Sequence, residues 1–265
     1  MIETTYSLNT PVSIALLPDL HGHSYESVLP SLRRRRPDII AVAGDVLYGC
    51  VPENGRSPLE TQENVLPFLT DCASIAPVFF SFGNHEWMLD ERDLADIRST
   101  GTVVLDNEWM EWNGLIIGGL TSGHVTEHRQ DLDRMDPDLR ALRRYPVKQR
   151  RNGVLKYTGI GKSHAPAPDT SWLSGFASAA GYHVLLCHHP EYFRLVPPSV
   201  ELILSGHAHG GQWRLAGHGV FAPGQGWWPK LTSGVHEGRL VVSRGLSNTA
   251  SIPRLFNPPE IVYIE

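Results

Sequence analysis

Five short polar motifs carry side chains of the types that bind metal ions, and each motif stands where an apolar run ends. Carboxylates, an amide oxygen and imidazoles together suit manganese, iron or zinc, whereas calcium prefers a cage of oxygens alone. The set therefore predicts a metal centre assembled from distant parts of the chain. The motifs are Asp19-Leu20-His21, Gly44-Asp45, Gly83-Asn84-His85-Glu86, His188-His189-Pro190 and Gly206-His207-Ala208-His209.

The spacing inside two of these motifs indicates chelation. On an extended segment, residues two apart point to the same side, so Asp19 and His21 would face one ion. The same period would place His207 and His209 on one face. Neighbouring glycines such as Gly44 permit sharp turns and a close approach of the backbone to the ions.

Apolar runs of strand length alternate with helical stretches, which is typical of α/β layers. Helices are predicted over 27–36, where Pro30 lies in the first turn, and over 62–75. Loops at one edge of a layered sheet converge, so the five motifs are expected to form one site. Strands are predicted over 13–17, 38–43, 77–82, 102–105, 114–120, 182–187, 201–204, 238–243 and 260–264.

A polar stretch over residues 121–170 interrupts this rhythm. It contains ten of the 23 lysine and arginine residues, with a helical pattern over 136–144. A long interruption is either a solvated insertion or a functional excursion such as a lid or a cap that grips substrate. We expect one domain over residues 1–265, with this basic insertion at about 121–170.

Composition excludes several classes of protein. The net charge of -5 gives no indication of nucleic-acid binding. Three cysteines without a CxxC pair predict neither disulfides nor a zinc knuckle, which favours the cytoplasm. No apolar stretch approaches the roughly 20 residues of a membrane span.

The run Arg33–Arg36 fits a solvated helix end or a peripheral contact with acidic lipid headgroups. Oligomeric state is not indicated.

The motifs D-x-H, G-D, G-N-H-E, H-x-P and G-H-x-H, in this order, resemble those of the calcineurin-like metallophosphoesterase superfamily. This resemblance covers most of the chain except the basic insertion, and it implies a four-layer α/β sandwich of two packed mixed β-sheets flanked by helices. Further motifs resemble a bacterial branch that contains phosphodiesterases and UDP-diacylglucosamine pyrophosphohydrolases. They are Gly206–Gln212, Gly245-Leu246, Pro253-Arg254-Leu255 and Pro259-Glu260-Ile261.

The resemblance also implies roles for individual residues. Two divalent metal ions are expected, manganese first, with iron or zinc as alternatives. His85 matches the catalytic histidine, which would stabilise the charged phosphorane or protonate the leaving oxygen. The implied metal ligands are Asp19, His21 and His209 for one ion, Asn84, His188 and His207 for the other, and Asp45 as a bridge between them.

The implied reaction is hydrolysis of a phosphodiester or pyrophosphate by a hydroxide that bridges the metals. A protein or small-molecule phosphomonoesterase is the main alternative, but protein phosphatases place phosphate-binding arginines where Gly49 and Phe82 stand here. A binding module that has lost catalysis is a third reading, against which the intact ligands and His85 argue. Lipid-linked diphosphates and nucleotide diesters are both open as substrates.

Several residues near the motifs keep two interpretations. His23 is either a solvent-facing loop histidine or a contact for substrate. His189 is either a residue that supports the metal ligands or a contact for substrate. Arg254 either pairs with an internal carboxylate or contacts a substrate phosphate. Trp227 and Trp228 either form an apolar wall beside the metals or cover the edge of the core.

Overall fold

The computed structural model describes residues 1–48, 57–87, 89–123, 167–222, 225–248 and 253–265, with the backbone of two short strands at 149–151 and 154–156. The helical pattern predicted over 136–144 lies outside these residues, as does Gly49.

The described residues form strands distributed along the whole chain. In chain order they are β1 (Ile2–Tyr6), β2 (Ile14–Leu16), β3 (Ile39–Ala43), β4 (Val78–Ser81), β5 (Val103–Leu105), β6 (Glu108–Trp112), β7 (Leu115–Leu120), β8 (Gln149–Arg151), β9 (Val154–Lys156), β10 (Tyr182–Cys187), β11 (Leu202–Ser205), β12 (Arg214–Leu215), β13 (His218–Gly219), β14 (Phe221–Ala222), β15 (Gly226–Trp227), β16 (Gly234–His236), β17 (Leu240–Val242) and β18 (Glu260–Ile264).

The helices lie between the strands. They are α1 (Leu29–Arg35), α2 (Val65–Ala73), α3 (Glu91–Ser99) and α4 (Leu173–Phe176), with short 3-10 helices at Pro190–Leu195 and His209–Gly211.

Two mixed sheets, each of six strands among the described residues, form the centre of the protein. The first has the order β1-β18-β2-β3-β4-β5, and the second has the order β16-β17-β11-β10-β7-β6. The four neighbours β2, β3, β4 and β5 are parallel, as are β7, β10, β11 and β17. Parallel neighbours end at the same edge of their sheet, and this edge carries the polar motifs.

The sheets pack face to face through alternate residues of their strands. On β3, Ile39 and Ala41 face the other sheet, while Ile40 and Val42 face the helices. On β10, Val184 likewise faces the first sheet. Both faces of these strands are buried, which explains why they are apolar at every position.

Helices cover the outer faces of the two sheets. The buried residues of α1, α2 and α3 join the outer core of the first sheet, and those of α4 and the 3-10 helix at Pro190–Leu195 join that of the second. Pro30 lies in the first turn of α1, as predicted. The four-layer α/β sandwich predicted from the sequence is confirmed. No helix in the described part of the chain is long and apolar enough to cross a membrane.

The arginine run at the end of α1 lies against the chain termini. Arg34 pairs with Glu3, and Arg35 Nη2 is 2.8 Å from Glu265 Oε1. Arg36 adopts a left-handed conformation with φ of 48° and closes the helix. These contacts, together with the helix dipole, favour a structural role for the run over a lipid contact.

Candidate metal centre

The predicted ligands lie in the loops that follow parallel strands. Asp19, Asp45 and Asn84 follow β2, β3 and β4 of the first sheet. His188 and His207 follow β10 and β11 of the second. Because the two sheets pack with these edges together, five loops converge on one site, as the sequence predicted.

Asp19, His21 and His209 form the first group, with their ligand atoms within 4.8 Å of one another. His21 Nε2 lies 3.3 Å from His209 Nε2 and 3.7 Å from Asp19 Oδ1. His21 Nδ1 lies 3.0 Å from Leu47 O and donates its proton to that carbonyl. Nε2 of His21 therefore faces the group, as a metal ligand requires.

Asp45 and His188 form the middle of the site. Asp45 Oδ2 lies 3.0 Å from His188 Nε2 and 3.8 Å from both His21 Nε2 and His85 Nε2. His188 Nδ1 donates to Ala43 O at 2.7 Å, which orients Nε2 toward the carboxylate. Asp45 thus shares one group of ligand atoms with Asp19 and His188 and another with His21 and His85, as a bridging ligand would.

His207 forms a further group with His188 and His189. Its backbone N–H donates to Asp19 Oδ2 at 3.1 Å, which ties the two loops together. The ring centroid of His189 lies 3.8 Å from that of His207, with the two rings tilted by 33°, and His189 Nδ1 is 2.7 Å from Ser122 Oγ. His189 thus packs against His207, and one of its ring nitrogens lies within 4.8 Å of the ligand atoms of His188 and His207.

Asn84 and His85 occupy the turn after β4. The carboxamide oxygen of Asn84 is buried. The backbone N–H of His85 donates to Asp45 Oδ1 at 3.0 Å, and the side chain of His85 is 26% exposed. His85 therefore lies at the open edge of the site, where it can reach a bound substrate.

Glu86 supports this turn, a role that the sequence analysis did not assign. Its buried carboxylate accepts hydrogen bonds from the backbone N–H groups of Gly83 at 2.8 Å, Asp45 at 3.0 Å and Leu47 at 3.1 Å. Burial and the charge of Asp45 raise the pKa of Glu86 to about 7. The sequence signal for this supporting role is the carboxyl side chain that follows Gly83 by three residues in the same motif.

Electrostatics of the buried groups fit a cation. Burial lowers the pKa of His207 and of His209, the latter to about 4, so both rings stay neutral and can bind metal. Burial also lowers the pKa of His188, but the carboxylates of Asp45 and Asp19 outweigh it and raise that pKa to about 10. The centre thus attracts positive charge, and the donor set fits divalent ions.

Arg254 lies behind His209 and contacts no carboxylate within hydrogen-bond distance among the described residues. Its Nη2 donates to Ser247 O and lies 2.9 Å from His209 Nδ1. His209 Nδ1 is itself 3.3 Å from Ser247 O. Arg254 therefore holds the loop that orients His209 instead of pairing with a carboxylate, and its contact with a substrate phosphate stays a prediction.

A pocket of about 590 Å³ opens beside His21. No lysine or arginine is found among its lining residues in the described part of the chain. Its only carboxylate there is Glu63, and Tyr48, 56% exposed, forms an aromatic side. The lining residues are His21, Gly22, His23, Tyr48, Thr61, Gln62, Glu63, Asn64 and Asn248.

The backbone of the motifs differs from the sequence prediction. Asp19 and His21 have φ of 60° and 51°, and His207 and His209 have 65° and 46°, so neither pair lies on an extended segment. Asp19 and His21 still meet, through a tight turn. The prediction that His207 and His209 share one face is wrong, because they belong to different groups.

Residues 12–211 match the model of the calcineurin-like phosphoesterase family, so the chain belongs to that family. It is 24% identical to the uncharacterized protein YpbG of Bacillus subtilis, over 94% of this chain and 79% of that protein. An uncharacterized metallophosphoesterase of Aquifex aeolicus is also 24% identical, over 93% and 79%. The metallophosphoesterase Cj0846 of Campylobacter jejuni is 23% identical, over 97% and 60%. Membership implies metal-dependent hydrolysis of phosphoesters.

Proposed function

We propose that the chain is a phosphodiesterase that uses two divalent metal ions, preferably manganese. The observation that carries the proposal is the position of Asp45, which shares one group with Asp19 and His188 and another with His21 and His85, with ligand atoms within 4.8 Å in each. One ion would be held by Asp19, His21 and His209. The other would be held by Asn84, His188 and His207. Ions bound there supply Lewis-acid activation of water and of the phosphoryl group.

The protein's own residues would complete the reaction. His85 lies 3.8 Å from Asp45 Oδ2 at the open edge, and burial lowers its pKa. A proton taken up by His85 would be released readily to the leaving oxygen. Direct attack by water predicts inversion at phosphorus, which a chiral phosphorothioate diester would show.

The pocket beside His21 supports a diester as substrate. A phosphomonoester dianion is usually held by arginine side chains, which make bidentate hydrogen bonds to it. Among the described lining residues the pocket offers amides, hydroxyls and Tyr48 instead. These groups suit the uncharged second ester group of a diester better than a second phosphate, so we favour a diester over a pyrophosphate.

The test compares bis(p-nitrophenyl) phosphate, p-nitrophenyl phosphate and pyrophosphate as substrates, before and after chelation and with manganese restored. We expect the diester to be hydrolysed fastest, and only with metal. Asp45→Asn should abolish activity and lower the metal content. Asp38→Asn, at the opposite end of β3, is the matched control and should retain both. Metal-bound protein without activity on any of the substrates would refute the proposal.

A further inference from the structure

A group of large apolar side chains is exposed to solvent beside the metal centre. Phe256 is 88% exposed, Trp227 68% and Trp228 67%. Neither tryptophan covers the edge of the core, which excludes one of the two predicted roles. We call this group the aromatic face, and its members are Trp213, Leu215, Trp227, Trp228, Leu255 and Phe256.

Backbone hydrogen bonds join the three segments that carry the aromatic face. The N–H of Trp228 donates to Val220 O at 2.9 Å, and the N–H of Val220 donates to Trp213 O at 2.8 Å. Trp213 in turn forms a parallel bridge with Leu255, and its Nε1 donates to Pro253 O at 3.1 Å. The segments that carry these exposed side chains are therefore held next to one another.

The segments that carry the aromatic face contain basic residues and no acidic ones. The sequence has no aspartate or glutamate between Glu201 and Glu237, and none over 253–259. Lys230 follows the tryptophan pair after Pro229 and is exposed. Arg214 and Arg254 also lie in these segments, where they are partly buried and donate to the carbonyls of Gly210 and Ser247. An exposed lysine beside exposed tryptophans is thus a local feature on a chain of net charge -5.

We propose that the aromatic face binds the surface of a lipid bilayer that contains anionic phospholipids. Tryptophan side chains favour the boundary between headgroups and acyl chains, because the ring is apolar and the indole N–H is polar. Lys230 would meet the negative headgroups, which adds about fivefold to binding at an anionic surface. A symmetric contact between two copies would instead bring like charges together.

The contact would place the metal centre at the level of the headgroups. Trp213 follows the loop of His209, and Arg254 contacts His209 directly. Phosphoesters displayed at the bilayer surface would thus be close to the site. Binding to vesicles does not itself require hydrolysis, so it is tested independently of the proposed reaction.

The experiment is flotation of the full chain with phosphatidylcholine vesicles, with and without phosphatidylglycerol. We expect binding to both, about fivefold stronger with phosphatidylglycerol, and this difference should disappear in Lys230→Gln. The double variant Trp227→Ser/Trp228→Ser should bind at least about tenfold more weakly, since burial of a large apolar side chain is lost. Brominated lipids should quench the fluorescence of the wild type and not of the double variant.

Trp109→Ser is the matched control, because Trp109 is 39% exposed on β6 at the edge of the second sheet. It should bind vesicles like the wild type. If the double variant does not fold, as judged by circular dichroism, Phe256→Ser replaces it.

Absence of flotation in the wild type, or equal flotation of wild type and aromatic variants, would overturn the proposal. A dimer that these variants dissociate, without any vesicle binding, would assign the face to a second copy instead. All variants should hydrolyse a soluble diester normally. Loss of hydrolysis by every protein, with flotation intact, would count against the proposed function alone.

Discussion

Gly83 is the position at which the smallest possible change should disrupt the metal centre. It precedes Asn84 and His85, and its N–H donates to Glu86 at 2.8 Å. A Cβ added at Gly83 would lie 2.1 Å from Asp45 Oδ1 and 2.7 Å from the backbone nitrogen of Asp45. Gly83→Ala therefore directs one methyl group at the proposed bridging carboxylate.

The size of the effect follows from these distances. The Asp45 carboxylate would have to retreat by about 1.3 Å to reach the 3.4 Å of ordinary van der Waals contact. Metal–ligand distances tolerate only about 0.2 Å, so a bridge displaced by this much would no longer serve both ions. We expect metal content to fall from two ions toward one or none, and kcat to fall at least about 100-fold.

The assay measures bound manganese by mass spectrometry and hydrolysis of bis(p-nitrophenyl) phosphate on the same preparation. Gly175→Ala is the control, because a Cβ at Gly175 in α4 meets nothing within 4 Å. That control should keep full activity and gain slightly in stability, by about 0.5–1 kcal/mol. A folded Gly83→Ala protein with two bound ions and normal kcat would refute the placement of Asp45 as the bridge.

Two further predictions concern the site, and a third concerns a buried cysteine of α2. His85→Ala should lower kcat by about 100- to 10,000-fold without loss of bound metal, as measured on one preparation, and metal loss would make His85 a ligand. Glu86→Ala removes the acceptor of three backbone N–H groups and should lower metal content at equal manganese, unlike the exposed Glu201→Ala. Burial raises the pKa of Cys72 to about 12, so Cys72 should resist thiol reagents until unfolding, as peptide mapping would show.

The central strands could be predicted because burial on both faces leaves a continuous apolar signal. Tyr182–Cys187 and Glu260–Ile264 begin and end where the sequence indicated. Several described elements were missed, among them β1, β6 and α3. β1 and β6 are edge strands whose alternate residues face solvent. α3 is a mostly polar helix that begins with a capping box formed by Asp90 and Asp93. Edge elements carry a weaker apolar pattern, which a single sequence shows less clearly.

The candidate site could be predicted as a set of residues but not as a geometry. The motifs identified the residues that the structure brings together around Asp45. The pairing of His209 with His21, 188 residues apart, depends on the packing of one sheet against the other. Glu86 and Arg254 are part of the motifs, but their roles depend also on backbone groups of other loops, which a motif does not identify.

Left-handed backbone at the predicted ligands connects the fold to the chemistry. Asp19, His21, Asp45, His207 and His209 all have φ between 46° and 65°, a region that L-residues other than glycine rarely adopt. Each such residue is disfavoured by about 1 kcal/mol or more, so these turns persist only because surrounding contacts hold them. Those contacts include the Glu86 carboxylate and the bonds from His207 N–H to Asp19. The two packed sheets thus stabilise three strained loops in the conformation that brings these side chains together.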